Sequence, residues 1–249
     1  MSPKKRGNSR YIFFLCGIAL LLLGTFFGVR YLIRTMDYFV IESIEIEGNV
    51  NLQKDFLYTI AKELLGQNLY LTPDEEIISR YENVVRVKEV KVHRVLPGEL
   101  RLRVKERLGV FFIRTRQGSI HAIDANRILL DNDNYYEGEN FPIIATQLDA
   151  DKLIIGQPVH SPVVDRVFAF RAVVLEEDEQ FFNDISELYV QDDHLFLVEM
   201  HTGYTILFGE GDLIRKIRQY RFLAGNTSIE QDKIIDLRFA DQLVIRPEE

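Results

Sequence analysis

Residues 84–107 read VVRVKEVKVHRVLPGELRLRVKER, and their periodicity decides the fold of the first half of the chain. From Val84 to Val95 valine alternates with charged residues, the period-two pattern of a strand with one buried face. The alternation slips by one between Val87 and Val90, as a β-bulge requires. Leu96-Pro97-Gly98 makes a turn. Beyond it Leu100, Leu102 and Val104 alternate with Arg101, Arg103 and Lys105, so the predicted hairpin has one apolar and one basic face.

Ahead of the hairpin, Ile41, Ile44 and Ile46 lie among Glu42, Glu45 and Glu47, and the run ends at Gly48-Asn49, a strand closed by a turn. Leu52, Phe56, Ile60 and Leu64 recur every four residues and predict one helical face, stopped by Gly66. A second helix is predicted at Thr72-Pro73-Asp74-Glu75, with Thr72 as cap, Pro73 at the first helical position and Glu75 closing a capping box. Residues 37–107 thus read as β-α-α-β-β, a three-stranded sheet covered on one side by two helices.

Further toward the N-terminus, Tyr11 to Val29 carries no charge and is bracketed by Arg10 and Arg30. At ~1.5 Å per residue this run spans about 28 Å, close to the ~30 Å hydrocarbon core of a bilayer. Gly24-Thr25-Phe26-Phe27-Gly28 offers no small-x-small cleavage site, and Leu15 before Cys16 does not suit a lipoprotein signal. Residues 11–32 are therefore expected to be an uncleaved transmembrane helix. The tail, residues 1–10, carries four basic residues and no acid, which places the N-terminus in the cytoplasm and the bulk of the chain outside. Gly24 and Gly28 have the spacing by which such helices pack on one another.

The formal net charge of −8 is unevenly spread. Six of the 30 basic residues fall in 1–36, which has no acid, leaving 24 basic against 38 acidic residues outside the anchor. A folded part with an excess of 14 negative charges is a poor match for nucleic acid. The single cysteine, Cys16, lies in the apolar run, so the folded part has no disulfide and no thiolate chemistry.

Residues 108–249 are strand-rich, giving an α+β chain overall. Strands are expected near 110–114, 119–123, 127–130, 143–146, 185–190, 194–201, 204–208 and, without a break, 234–246. Helices are expected from Ser161-Pro162 to about Leu175 and over 211–224.

Together these stretches resemble the FtsQ/DivIB family of bacterial cell-division proteins, in which a transmembrane helix leads into a POTRA domain and then a β domain. The resemblance rests on IESIEIEGN at 41–49, GQNLYLT at 66–72, VKEVKVHRVLPGELRLRVKER at 87–107, HAIDANRILL at 121–130, HTGYTILFG at 201–209, DLIRKIRQYRFL at 212–223 and IIDLRFADQLVIR at 234–246. One departure is Val84-Val85-Arg86-Val87 where the family usually has Pro-Trp-Val; this chain has no tryptophan. The resemblance implies a non-enzymatic scaffold at the division septum that helps assemble the septal peptidoglycan synthase complex. It also implies binding to FtsB and FtsL through the last strand and the helix before it, with no cofactor.

Arg238 and Phe239 match the Arg-Tyr pair of the family's Asp-Leu-Arg-Tyr motif. A final strand at a sheet edge can accept a partner strand, and Asp241, Leu243 and Val244 lie on the same run. Arg218 and Arg221, three apart on one helical face, suit an acidic partner segment. The plainer alternatives are that Phe239 is core, Arg238 a solvated face, and the basic face of the helix simply wet. Where family members carry an arginine before the glycine turn, this chain has Asp192-Asp193-His194, so that contact is not carried over.

Enzymatic signatures are missing from the sequence. The histidines at 93, 121, 160, 194 and 201 lack metal-ligand spacing, and His194 and His201 are expected on opposite faces of one strand. There is no Gly-x-Ser-x-Gly elbow and no phosphate-binding glycine loop. Asp131-Asn132-Asp133-Asn134 lacks the glycine of a calcium loop and reads as a surface turn, and Glu176-Glu177-Asp178-Glu179 as a solvated stretch. Two other readings of the topology stay open: an anchored extracytoplasmic enzyme or cell-wall-binding protein, and a POTRA-type transport accessory.

Overall fold

The structure, a computed structural model, describes residues 8–131, 140–209, 211–226, 233–239 and 242–247, with side chains from Tyr11 onward. The apolar run forms one helix, α1 (Asn8–Thr35), long and apolar enough to cross a membrane, and from Tyr11 onward none of its side chains is buried in the protein. The chain divides into two compact units, Met1–Glu106 and Arg107–Glu249.

In the first unit, β1 (Ser43–Glu47) is followed by α2 (Lys54–Ala61), α3 (Asp74–Ser79), β2 (Val87–Val95) and β3 (Glu99–Glu106). The sheet order is β1-β3-β2, with β1 parallel and β2 antiparallel to β3. Gly48 ends β1 at φ +81°, and a Cβ there would lie 2.5 Å from the Val104 carbonyl oxygen, so glycine is required twice over. The expected slip is present between Val87 and Glu89. Leu100, Leu102 and Val104 are buried as expected. The opposite face is not bare basic surface, because Arg101 reaches Glu45 at 2.9 Å and Glu99 at 2.8 Å, and Arg103 reaches Glu47 at 3.3 Å.

Three local expectations are corrected here. The buried face of α2 is Leu57 and Ala61, continued by Leu64 in a 3-10 turn, while Phe56 and Ile60 are only half-buried. A strict four-residue repeat precesses by about 40° at each step, so it cannot stay on one face for three steps. Thr72 does not cap α3: Pro73 holds that position, and the Thr72 hydroxyl instead donates to the Asn68 carbonyl at 2.8 Å. Residues 84–86 turn rather than extend, and Arg86 is completely buried.

The second unit runs β4 (Gly109–Arg114), β5 (Ile120–Asp124), β6 (Ile143–Ala145), α4 (Pro162–Glu177), α5 (Glu179–Asn183), β7 (Ile185–Gln191), β8 (His194–Glu199), β9 (Thr205–Phe208), α6 (Leu213–Asn226), β10 (Lys233–Asp236) and β11 (Val244–Pro247). The strands make one sheet of order β11-β10-β9-β8-β7-β6-β4-β5. Its core joins Phe111, Val167, Phe170, Leu188, Leu197, Ile206, Tyr220 and Ile235, so α4 and α6 pack against the strands. Ser161 caps α4, its hydroxyl oxygen accepting the Val164 N–H at 3.1 Å.

Residues 127–130 form isolated bridges rather than a strand, because the Asp124 carboxylate accepts the N–H groups of Asn126 and Ile128 and Arg127 sits at φ +66°. The acidic stretch at 176–179 is not merely solvated: Asp178 caps α5, a helix the sequence reading missed, by accepting the Phe181 N–H at 2.8 Å. β8 stops at Glu199, so His201 lies in the following turn, not on the strand. The expected continuous strand over 234–246 is two antiparallel strands, because Asp236 accepts the Arg238 N–H at 3.0 Å and turns the chain. Of the turn expected at 131–134, residues 132–134 lie outside the described residues.

Candidate functional site

Helix α6 begins where Asp212 accepts the Arg215 N–H at 3.0 Å. Its inner side presents Lys216, Ile217 and Tyr220 to the core. Burial, with the Glu199 charge beside it, pushes the Tyr220 hydroxyl up to about 12. The outer side, Ile214, Arg215, Arg218 and Phe222, lines an open groove of about 780 Å³ that Gln242 and Leu243 also line. Phe222 is 75% exposed, a large apolar ring in water beside the apolar Ile214, Leu223 and Leu243. Arg215 and Arg218 share the groove wall with Asp212 and Glu177, so the rim is mixed in sign rather than simply basic.

Beside the groove β11 is the last strand of the sheet. The Leu237 N–H donates to Leu207 at 2.9 Å, so the backbone groups of Ile235 and Leu237 face β9 and those of Ile234 and Asp236 face β11. Their partners Arg246 and Val244 face back, which leaves the N–H and C=O of Ile245 directed away from the ladder. Among the described residues no strand pairs with that edge.

A buried carboxylate holds this corner. Asp236 is 1% exposed and accepts from Arg238 Nη2 at 2.7 Å and Nε at 3.0 Å, with Arg246 Nε 3.5 Å away on β11. Burial by itself raises the Asp236 carboxyl, but the hydrogen bonds and charge of Arg238, with Arg246 adding to them, outweigh it and hold the group below the usual carboxylate range. The chain leaving β9 passes close by: a Cβ on Gly209 would lie 2.8 Å from the Arg238 Cα.

The FtsQ-type POTRA domain family matches residues 39–107. A cell division protein DivIB of Clostridium botulinum is 36% identical over 77 residues, 31% of this chain and 30% of that protein. FtsQ proteins of Syntrophotalea carbinolica and Koribacter versatilis are each 24% identical, over 74% and 83% of this chain and 64% and 60% of their own lengths. Residues 39–107 thus form a POTRA domain of the FtsQ type, and the chain is similar to FtsQ and DivIB proteins. It spans less than two thirds of the length of each of these relatives.

The residues that the FtsQ/DivIB resemblance and the edge-strand argument singled out fall into separate groups. Arg218 and Leu243 line the groove, and Val244 opens the edge strand next to it. Phe239 is 43% exposed in the segment between β10 and β11, not in the core. Arg221, by contrast, turns toward Asp178 at 3.0 Å and lies over the Phe181 ring, so it does not share the exposed face of Arg218. Arg238 is neither simply solvated nor free, being committed to Asp236. Asp241 lies outside the described residues. Asp193, in the β7–β8 turn, accepts from Arg166.

Phe222, the most exposed ring among the described residues of the second unit, went unread in the sequence. Its signal was its place four residues after Arg218, on the same face of an amphipathic helix. The fold also gathers Asp184, Glu199 and His201, with ligand-type atoms within 4.8 Å of one another, which no sequence spacing announces. Those groups already have partners: Glu199 accepts the Thr202 N–H, and Asp184 lies 3.6 Å from Arg221 and 3.4 Å from His201.

Proposed function

We infer that this chain is a cell-division protein acting as a non-enzymatic scaffold. α1 anchors it in the cytoplasmic membrane, with the basic tail inside and both folded units outside at the septum. Its partners on this reading are FtsB- and FtsL-type proteins, which link it to septal peptidoglycan synthesis. The observation that carries the reading is the outward-facing backbone of Ile245 on the terminal strand, beside a groove with an exposed aromatic ring. A partner strand laid along β11 gains backbone pairing, while its side chains reach Phe222, Arg218 and Leu243; backbone bonds supply affinity and such pockets specificity. The relatives named above are all cell division proteins, which supports the biological setting.

The test is a pull-down of the full chain in detergent with the FtsB–FtsL pair of the same organism. Ile245→Pro removes the outward donor and leaves the bonds made by Val244 and Arg246 in place, so it is expected to abolish capture. Phe222→Ala is expected to weaken it by roughly 1–2 kcal/mol, or about tenfold. Capture untouched by both variants moves the interface elsewhere, and no capture by the folded wild type rejects these partners.

A further inference from the structure

The end of α1 is tied to the first unit by more than the chain itself. Leaving the helix, residues 39–41 pair with residues 66–69: the Leu69 N–H donates to Phe39 at 2.6 Å, the Ile41 N–H to Gln67 at 2.8 Å and the Gly66 N–H to Ile41 at 3.0 Å. In addition Asn68 Nδ2 donates to the Ile33 carbonyl at 2.7 Å. Ile33 is in the last turn of the helix, where carbonyls have no partner within the helix. The other half of the same amide holds the loop, since Oδ1 accepts the N–H groups of Tyr70 at 3.0 Å and Leu71 at 3.1 Å. From beneath, Arg94 on β2 donates to the carbonyls of Leu69 at 2.6 Å and Thr72 at 2.8 Å.

This braced loop, LGQNLYLT at 65–72, contains no charge, and it exposes Leu65, Tyr70 and Leu71 to the outside of the unit. Tyr70 packs edge-on against Phe39 at 5.6 Å, and Phe39 against Tyr38 at 5.4 Å; Tyr31, Met36 and Tyr38 are exposed around them. The uncharged span of α1 ends at Val29, and Ile33 lies about 6 Å further along the axis at ~1.5 Å per residue, within the headgroup layer. Whatever is hydrogen-bonded to Ile33 is in that layer too. Tyrosine is a residue of this boundary, apolar in its ring and polar at its tip.

We propose that the 65–71 loop is a second membrane contact of the chain. Tyr70 and Leu71, with Tyr38 beside them, lie in the headgroup–acyl boundary of the leaflet where α1 emerges, and Asn68 locks the loop to the helix end. The occupant of this apolar surface is the lipid of the bilayer that α1 crosses. The proposal rests on reading α1 as a membrane anchor.

The chain has no tryptophan, so a single one reports alone. Tyr70→Trp is placed in the full chain and reconstituted in phosphatidylcholine–phosphatidylglycerol vesicles, with and without phosphatidylcholine brominated high on its acyl chains. Phe27→Trp in the helix checks the anchor. Val50→Trp, an exposed position beyond the far end of β1, serves as the aqueous control. The Tyr70→Trp emission is expected to fall by about half, as for a ring seated ~5–10 Å into the boundary, while that of Val50→Trp is unchanged. Asn68→Asp keeps the acceptor for Tyr70 and Leu71 but loses the donor to Ile33; added to Tyr70→Trp, it is expected to remove most of the quenching. Quenching of Phe27→Trp without quenching of Tyr70→Trp overturns the proposal and leaves the anchor standing. A blue-shifted but unquenched Tyr70→Trp places the ring against protein rather than lipid and likewise overturns it. No quenching at Phe27→Trp overturns the anchor, and the loop contact with it. Quenching that Asn68→Asp leaves intact overturns the lock.

Discussion

Asp236→Asn isolates the clamp at the terminal hairpin. The substitution is nearly isosteric and keeps Oδ1, which accepts the Arg238 N–H and Nε at 3.0 Å each. It replaces Oδ2, the acceptor of Arg238 Nη2 at 2.7 Å, with an NH2 group facing Arg238 and Arg246. One charge-assisted bond is worth roughly 1.5–3 kcal/mol, and a donor set against a donor adds to the loss. Both arginine side chains are about a third exposed, at 36% and 32%, so water compensates in part. The net expectation is about 2 kcal/mol, or roughly 30-fold faster opening of β10–β11. Hydrogen exchange of the full chain in detergent, followed by mass spectrometry, reads this directly by comparing peptides from 233–247 with those from β7 and β8. A change below about threefold in 233–247 would refute the reasoning, because it would mean that the arginines do not hold the hairpin. An equal rise across the whole second unit would show that the hairpin opens only with global unfolding.

The same carboxylate sets an acid limit. Its folded value is depressed, so its contribution is fully present above the ordinary carboxylate value of about 4 and is lost as pH falls through the lower folded value; the opening of 233–247, taken from exchange rates corrected for the intrinsic slowing of amide exchange in acid, should therefore increase on acidification in the wild type, and much less in Asp236→Asn. Arg221→Ala is expected to cost about 1 kcal/mol of thermal stability through lost contact with Asp178 and Phe181. Arg218→Ala, whose side chain is 77% exposed, should leave the melting temperature unchanged and act only on partner capture. Gly209→Ala must displace the Arg238 backbone, and is expected to destabilise the hairpin by roughly 1–3 kcal/mol, seen as faster exchange confined to residues near 233–247.

The sequence by itself determined the elements whose signal is local. The charge-free run of α1, the hairpin of β2 and β3 with its slip at Val87, and the Ser161 cap of α4 are all set by residues within one or two turns of one another, and all are present. Where an element depended on distant groups, local pattern failed. Val84 to Arg86 alternates like a strand but turns, and Arg86 is taken wholly inside. The run 234–246 alternates like one strand but is cut in two by a carboxylate buried at Asp236. The candidate site divides in the same way. Arg218 and Arg221 lie about 60° apart on a helical wheel, near enough to share a face, yet only tertiary packing set Asp178 beside one and left the other in water. Residue type and spacing fix what a side chain can do, but a charge spends itself on whatever counter-charge the fold brings within about 3 Å, and that neighbour is chosen by topology.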